Sequence, residues 1–299
     1  MSTLRWNIPD LGLGLGLRRE IHQAVLDQNP PVGFFEVFPE NYMFTEGRPM
    51  TYLEQVAERW PMTLHCLQIN VGSTDPLDRA YLDRLATIAR HTRAVYISDH
   101  LAWTTFGGYN LHEVLPVPYT EESLRHVAGR IRQVQDVLER PLFIENSTGY
   151  LAYRQSTMSE GEFLARLSVE ADCGLLLDVN NAYINGTNHG FDPADLIQKL
   201  PSERIGYVHV AGHATHGTSR RDTHDQAVAP AVWELYRLAE EHTGGRTTLL
   251  EWDARVPPLP DLCKELAKTL PLLSGRREKA PPDPRLQPVL PLAGGEAAE

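Results

Sequence analysis

The segment YVHVAGHATHGTSRRDTHD, residues 207–225, holds four of the chain's twelve histidines and closes on an Asp-x-His pair, Asp222 and His224. Imidazoles crowded in this way suit a metal site, a solvated loop or a buried polar cluster. Residues able to do chemistry recur elsewhere in one kind of place, the ends of short apolar runs. His65 lies in MTLHCL, Asp99 and His100 end AVYISDH, and Glu145 and Asn146 end PLFIEN. Asp178 lies at the end of GLLLDV, His209 near the end of RIGYVHV, and Glu251 in TTLLEW with Asp253 just beyond.

These runs read as strands. With GLGLGL (12–17) and GFFEVF (33–38) they number eight, at 12–17, 33–38, 62–67, 94–100, 141–146, 174–179, 204–210 and 247–252. Helical patterns fall between them near 18–28, 50–59, 76–91, 120–139, 159–171, 192–200, 230–243 and 258–270. Start signals such as TEES (120–123), SEGE (159–162) and DPAD (192–195) support several of them. Alternating strands and helices imply parallel pairing, which closes most simply as an α/β (β/α)8 TIM barrel; a doubly wound open sheet is the runner-up.

A barrel of this kind places its chemistry at the C-terminal ends of the strands. His65, His100, Glu145, Asp178, His209 and Glu251 then meet in one mouth. A lone strand histidine such as His65 is more often a hydrogen-bonded core residue, but six such strand ends in succession exceed what surface solvation explains. Carboxylates and imidazoles buried together are costly unless a cation compensates them. Nitrogen and oxygen donors without cysteine indicate zinc, iron or manganese. Six ligands exceed one tetrahedral site and suggest two metals bridged by a carboxylate. Asp222 and His224, two apart in a loop, project to one side and, with Asn181 or His213, would make a third position. Asn146 and Asn180 are expected to orient ligands. His189 and His216 stand among Gly, Thr and Asn as candidate loop histidines, and His112 could line the mouth. His22, His91, His126 and His242 are expected on helix surfaces. Alternation turns Cys66 outward, into helix packing.

Composition narrows the function classes. Hydrophobic residues make up 42% of the 299, enough for a packed core. A net charge of −11 argues against binding nucleic acid by phosphate neutralisation. Cys66, Cys173 and Cys263 lack metal spacing and read as reduced thiols. Without an apolar span or a signal-type N-terminus, a cytoplasmic protein away from membranes is expected. The motif GLGLGLR (12–18) does not match the dinucleotide fingerprint. Its glycines are expected to let the first strand pass close beneath the site, with Arg18 set to meet an anionic substrate group. Residues 1–273 read as the catalytic barrel and 274–299, rich in proline and glycine, as a flexible tail.

Taken together, FFEVFPENYM, SDHLAW, LFIENSTGYL, LLLDVNNAYINGTNHGFDP, HVAGH, DTHD and LLEWD resemble the multinuclear non-haem iron-dependent oxidases, the family that includes the methanobactin-synthesis oxidase. The resemblance implies a xylose-isomerase-like barrel holding two or three irons in mixed ferrous and ferric states, with dioxygen as co-substrate. It implies oxidation of a residue, often cysteine, in a ribosomally made precursor peptide, commonly presented by a small partner protein. Carried over, His65, His100 and Glu145 hold one iron, and Glu145, Asp178, His209 and Glu251 the next. Asn181, His213, Asp222 and His224 surround a third, with their division left open. The ligand order also resembles a trinuclear zinc endonuclease of apurinic-site repair, except that Asn181 stands where that enzyme has histidine. A zinc phosphoesterase is therefore the alternative. A sugar isomerase lacks its expected strand-end lysine here, and a non-catalytic metal-binding or peptide-presenting barrel is the remaining possibility.

Overall fold

The computed structural model describes Trp6 and residues 9–273; the expected tail at 274–299 lies outside the described residues. The strands are β1 (Leu13–Gly16), β2 (Phe34–Val37), β3 (Met62–Cys66), β4 (Tyr96–His100), β5 (Ala102–Phe106) and β6 (Tyr109–Pro116). They continue with β7 (Phe143–Glu145), β8 (Gly174–Asp178), β9 (Ile205–Ala211), β10 (Ala214–His216), β11 (Ser219–Arg221) and β12 (Thr247–Glu251). The α-helices are α1 (His22–Gln28), α2 (Arg48–Ala57), α3 (Arg79–His91), α4 (Glu121–Leu138) and α5 (Glu160–Glu170). After them come α6 (Val179–His189), α7 (Pro193–Lys199), α8 (Pro230–Thr243) and α9 (Leu259–Leu266).

Eight strands close into a barrel in the order β1-β12-β9-β8-β7-β4-β3-β2, every pairing parallel. These are the eight runs expected from sequence, so the (β/α)8 reading holds and the open sheet is set aside. The period-two alternation of a strand sorts each run into an inner and an outer set. Phe35, Leu64, Ile97, Ile144, Leu177, Val208 and Leu250 belong to the large core cluster that includes the helices, as does Cys66. Phe34, Tyr96, Phe143, Leu176, Tyr207 and Leu249 form a separate cluster, the floor inside the barrel. Two residues on from floor positions stand Glu36, Ser98, Glu145, Asp178, His209 and Glu251, at the C-terminal end.

Floor packing accounts for glycine in three strands, β1, β8 and β9. A Cβ at Gly14 would lie 2.3 Å from the Phe34 ring, and one at Gly206 would lie 2.1 Å from the Phe143 ring. The first strand's glycine thus admits a floor aromatic, a more specific task than the close passage expected of it.

Three insertions follow barrel strands at the mouth end: the hairpins β5–β6 and β10–β11, and α6 ahead of the barrel helix α7. The sequence was expected to be loop in all three. α6 is rich in Asn, Gly and Thr, which favour helix weakly. It forms because Asp178 caps it, accepting from the Asn181 N–H, and Gly190 ends it in the left-handed conformation. Its Ala182, Ile184 and Asn185 are buried. His22, expected at the surface, is buried with Nε2 3.4 Å from the Tyr42 hydroxyl. Among the described residues, no helix is long and apolar enough to cross a membrane.

Candidate metal centre

Every barrel strand but β1 delivers a polar side chain at nearly one height, because parallel register ties neighbours together. His65 is level with Ser98, His100 with Glu145, and Asp178 with His209. The result is a cavity of about 130 Å³ in the mouth, lined in part by His65, His100, Glu145, His224 and Glu251.

The donors converge on Glu145. Its Oε2 lies 3.1 Å from His65 Nε2 and 3.3 Å from His100 Nε2. His65 turns this nitrogen inward because its Nδ1 meets Ser98 Oγ at 2.8 Å. His209 is held between carboxylates, Nδ1 to Glu251 Oε2 at 3.1 Å and Nε2 to Glu36 Oε1 at 3.1 Å. His224 Nε2 lies 2.6 Å from Asp222 Oδ1, while its Nδ1 lies 3.3 Å from Glu251 and 3.2 Å from Asp253. Four groups among the described residues bring ligand atoms within 4.8 Å of one another: His65–His100–Glu145, Glu145–Asp178–His209, Asp178–His224–Glu251 and Glu36–His209–Glu251. They share members, so the cage is continuous.

Of the ten residues expected as ligands, seven fall in these groups. Asp222 joins through its contact with His224. The Asn181 amide donates to Glu145 Oε1 at 3.1 Å, and its Oδ1 accepts from Thr148 at 2.6 Å. His213 lies apart from the four groups, with Nδ1 2.8 Å from Asn180 Oδ1 and its ring against Tyr183. Asn146 and Asn180, expected to orient ligands, each contact one of the expected ligand residues. Asn146 brackets the backbone of Asp178 with two 2.8 Å bonds, and Asn180 donates to Asp222 at 3.2 Å. His112 and His216 are exposed on their hairpins. His189 is on α6 rather than in a loop, with Nε2 2.6 Å from the Gly149 carbonyl.

Two residues were missed or misread. Glu36 is fully buried beneath the cage, and its Oε2 accepts from Thr63 and Tyr207. The alternation Phe34-in, Glu36-in was available in GFFEVF as a signal. Arg18, expected to meet an anionic substrate group, meets anionic groups of the chain itself. It is buried over the Phe38 ring and bound to Asp253 Oδ1 at 2.5 Å, with Glu251 3.6 Å away.

The electrostatics describe a cage short of positive charge. Burial penalises the His100 imidazolium, but Glu145 and Asp99 outweigh it and carry the group up to about 9. Burial alone would raise Glu145; His100 and His65 instead bring it down to about 2. His209 and His224 are raised well above the usual imidazole range, the cost of burial being overcome by Glu36 and Glu251 for one and by Asp222 and Glu251 for the other. Asp178 rises well above the carboxylate range because it is buried and sits beside Glu145. Imidazoles raised by neighbouring carboxylates form a charge pattern that divalent cations would take over. Glu145 Oε2, Asp178 Oδ2, His209 Nε2 and His224 Nε2 are buried without an aligned hydrogen-bond partner. An all-nitrogen-and-oxygen donor set with unsatisfied inward atoms fits hard or borderline divalent ions.

Comparison with known proteins bears on the whole barrel. The family described as RiPP precursor modification enzyme MbnB/TglH/ChrH matches residues 12–273. A UPF0276 protein of Anaeromyxobacter sp. (strain Fw109-5) is 47% identical over 255 residues, spanning 85% of this chain and 90% of that one. A UPF0276 protein of Caulobacter vibrioides is 43% identical over 256 residues, spanning 85% and 91%. Among solved structures, a D-psicose 3-epimerase with D-fructose superposes with TM-score 0.60 at 11% identity, covering 88% of this chain and all of that one. The IOLI protein with a bound zinc gives 0.57 at 10% identity, covering 90% of this chain and all of that one. At such identities these two establish the xylose-isomerase-like fold alone.

Proposed function

Because the chain belongs to the MbnB/TglH/ChrH family of RiPP precursor modification enzymes, we propose that it is a multinuclear non-haem iron, dioxygen-dependent oxidase acting on a cysteine of a ribosomally synthesised precursor peptide. The observation that carries this reading is the continuous cage of shared carboxylates and imidazoles in the barrel mouth. His65, His100 and Glu145 would hold one ion, and Glu145, Asp178, His209 and Glu251 a second. Asp222 and His224, with Asn181 or His213, would serve a third. Bound iron would supply the one-electron exchange with dioxygen that zinc in the same cage lacks.

The chain's own residues do the positioning. Ser98 fixes the face that His65 presents, Asn146 pins the strand end carrying Asp178, and Asn181 holds Glu145 Oε1. Arg18 neutralises Asp253 and leaves Glu251 facing inward. The floor aromatics close the barrel below the cage and keep solvent to one side. Precursor peptide and a small presenting protein are the partners this reading requires.

The hydrolase alternative is less favoured. The matching family is one of precursor modification enzymes, and a net charge of −11 offers little to a polyanionic backbone. The test is anaerobic purification with metal analysis, then exposure to oxygen with the peptide encoded beside this gene. Iron in the protein, oxygen consumption and a mass change in the peptide are expected. Zinc alone, with neither oxygen uptake nor mass change, overturns the oxidase reading.

A further inference from the structure

A second cavity, of about 320 Å³, opens between α5, α6, α7 and the loop that follows β7, and shares no lining residue with the metal cage. Its walls include Val117, Leu151 and Leu196 and the rings of Tyr119, Tyr153 and Phe191. Glu160, the first residue of α5, also lines it. That side chain is 8% exposed. Oε2 accepts from Asn185 Nδ2 at 3.2 Å, and Oε1 has no aligned hydrogen-bond partner. Burial pushes the carboxyl up to about 7, with Asn185 and the Tyr119 hydroxyl pulling the other way. The lysine at the rim, Lys199, is turned to Ser159 Oγ at 3.1 Å and Glu162 at 3.8 Å.

We propose that this cavity binds the alkylammonium side chain of a lysine in the peptide substrate, with Glu160 as its anionic partner. A buried carboxylate lacking a cation is costly when ionised, and a cation brought by a ligand offsets part of that cost. An anionic ligand would meet Glu160 and, at the rim, Asp195. A wholly apolar one would leave the carboxyl with the Asn185 amide and the Tyr119 hydroxyl and no counter-charge. A lysyl side chain meets both demands: its methylene stem lies on the apolar walls while its ammonium donates to Oε1. Three aromatic rings add favourable faces for a cation. Guanidinium fits less well, because its fork seeks two free carboxylate oxygens and Asn185 already occupies one. Asn185 also donates to the Ser147 carbonyl at 3.0 Å and accepts from the Gly149 N–H at 2.9 Å. A peptide anchored here therefore begins at the loop that leaves Glu145.

Only the source of the amine rests on the peptide-modifying reading; the amine site itself does not. The test is a titration of the full chain in mildly alkaline buffer, followed by 1H–15N correlation spectra, without iron, oxygen or precursor. The probes are N-acetyl-lysine N-methylamide, its norleucine counterpart and butylamine. The lysine probe is expected to shift the amides of Gly149, Gly161 and Asn185 and to bind at least about tenfold more tightly than norleucine. Glu160→Gln should remove that advantage, and Ala152→Trp, at an exposed wall position, should block the probe. Equal binding of lysine and norleucine, shifts elsewhere, or undiminished binding in both variants overturns the site. Butylamine binding as tightly as the lysine probe overturns its assignment to a peptide. A failed oxygen assay with this titration intact would sink the oxidase reading and leave the amine site standing.

Discussion

Single residues decide what the mouth can hold. Glu145 faces both His65 and His100 and also joins the group of Asp178 and His209. Glu145→Ala is therefore expected to cost more bound metal than His100→Ala, with circular dichroism unchanged in both; equal losses would contradict a shared carboxylate. Because His100 is carried up to about 9, it is protonated at neutral pH, and metal must displace that proton. Calorimetry in buffers of different ionisation enthalpy should register proton release on metal binding; none would contradict the charge arrangement. Glu160 offers a check on stability. Its folded-state value of about 7 stands above the ordinary 4.5. A raised carboxyl favours the protonated fold, so stability is intact below about pH 4.5 and falls as pH rises through 7, by about 3 kcal/mol. Urea unfolding of wild type against Glu160→Gln should show that difference growing across this window, and parallel curves would refute it. The six strand-end candidates were legible because each lies at or near the end of an apolar run. Glu36 was not singled out, since a carboxylate inside such a run looks like an edge residue until its parity with Phe34 is followed.

Elements fix the height and direction of those residues. The eight barrel strands were legible from their apolar, β-branched runs, and the main helices from their spacing and caps. The insertions were not. α6 contradicts its own propensity and depends on the Asp178 cap and on burial of its asparagines. Strands β6, β10 and β11 carry mostly exposed side chains, which leaves little periodicity to read. Element packing also makes a prediction at the floor. Gly206→Ala sets a methyl 2.1 Å from Phe143 and should destabilise the fold by about 1–3 kcal/mol. Phe143→Leu in the same chain should recover part of that loss. Additive losses in the double variant, measured by chemical denaturation, would show that the two positions do not compete for space.

At the scale of the molecule, a parallel barrel provides an apolar floor, a ring of candidate metal ligands above it and loops that shape access. Fold class was the most legible property, because eight alternations of strand and helix leave few ways to pair. The kind of ion is the least legible, because nitrogen and oxygen donors accept several. The central claim is that the mouth holds at least two iron ions that share Glu145. Crystals of anaerobically prepared protein, measured on both sides of the iron absorption edge, test it most directly. The account predicts at least two iron peaks in the mouth, with Glu145 reaching both. A single peak, or peaks at sites remote from Glu145, would contradict it.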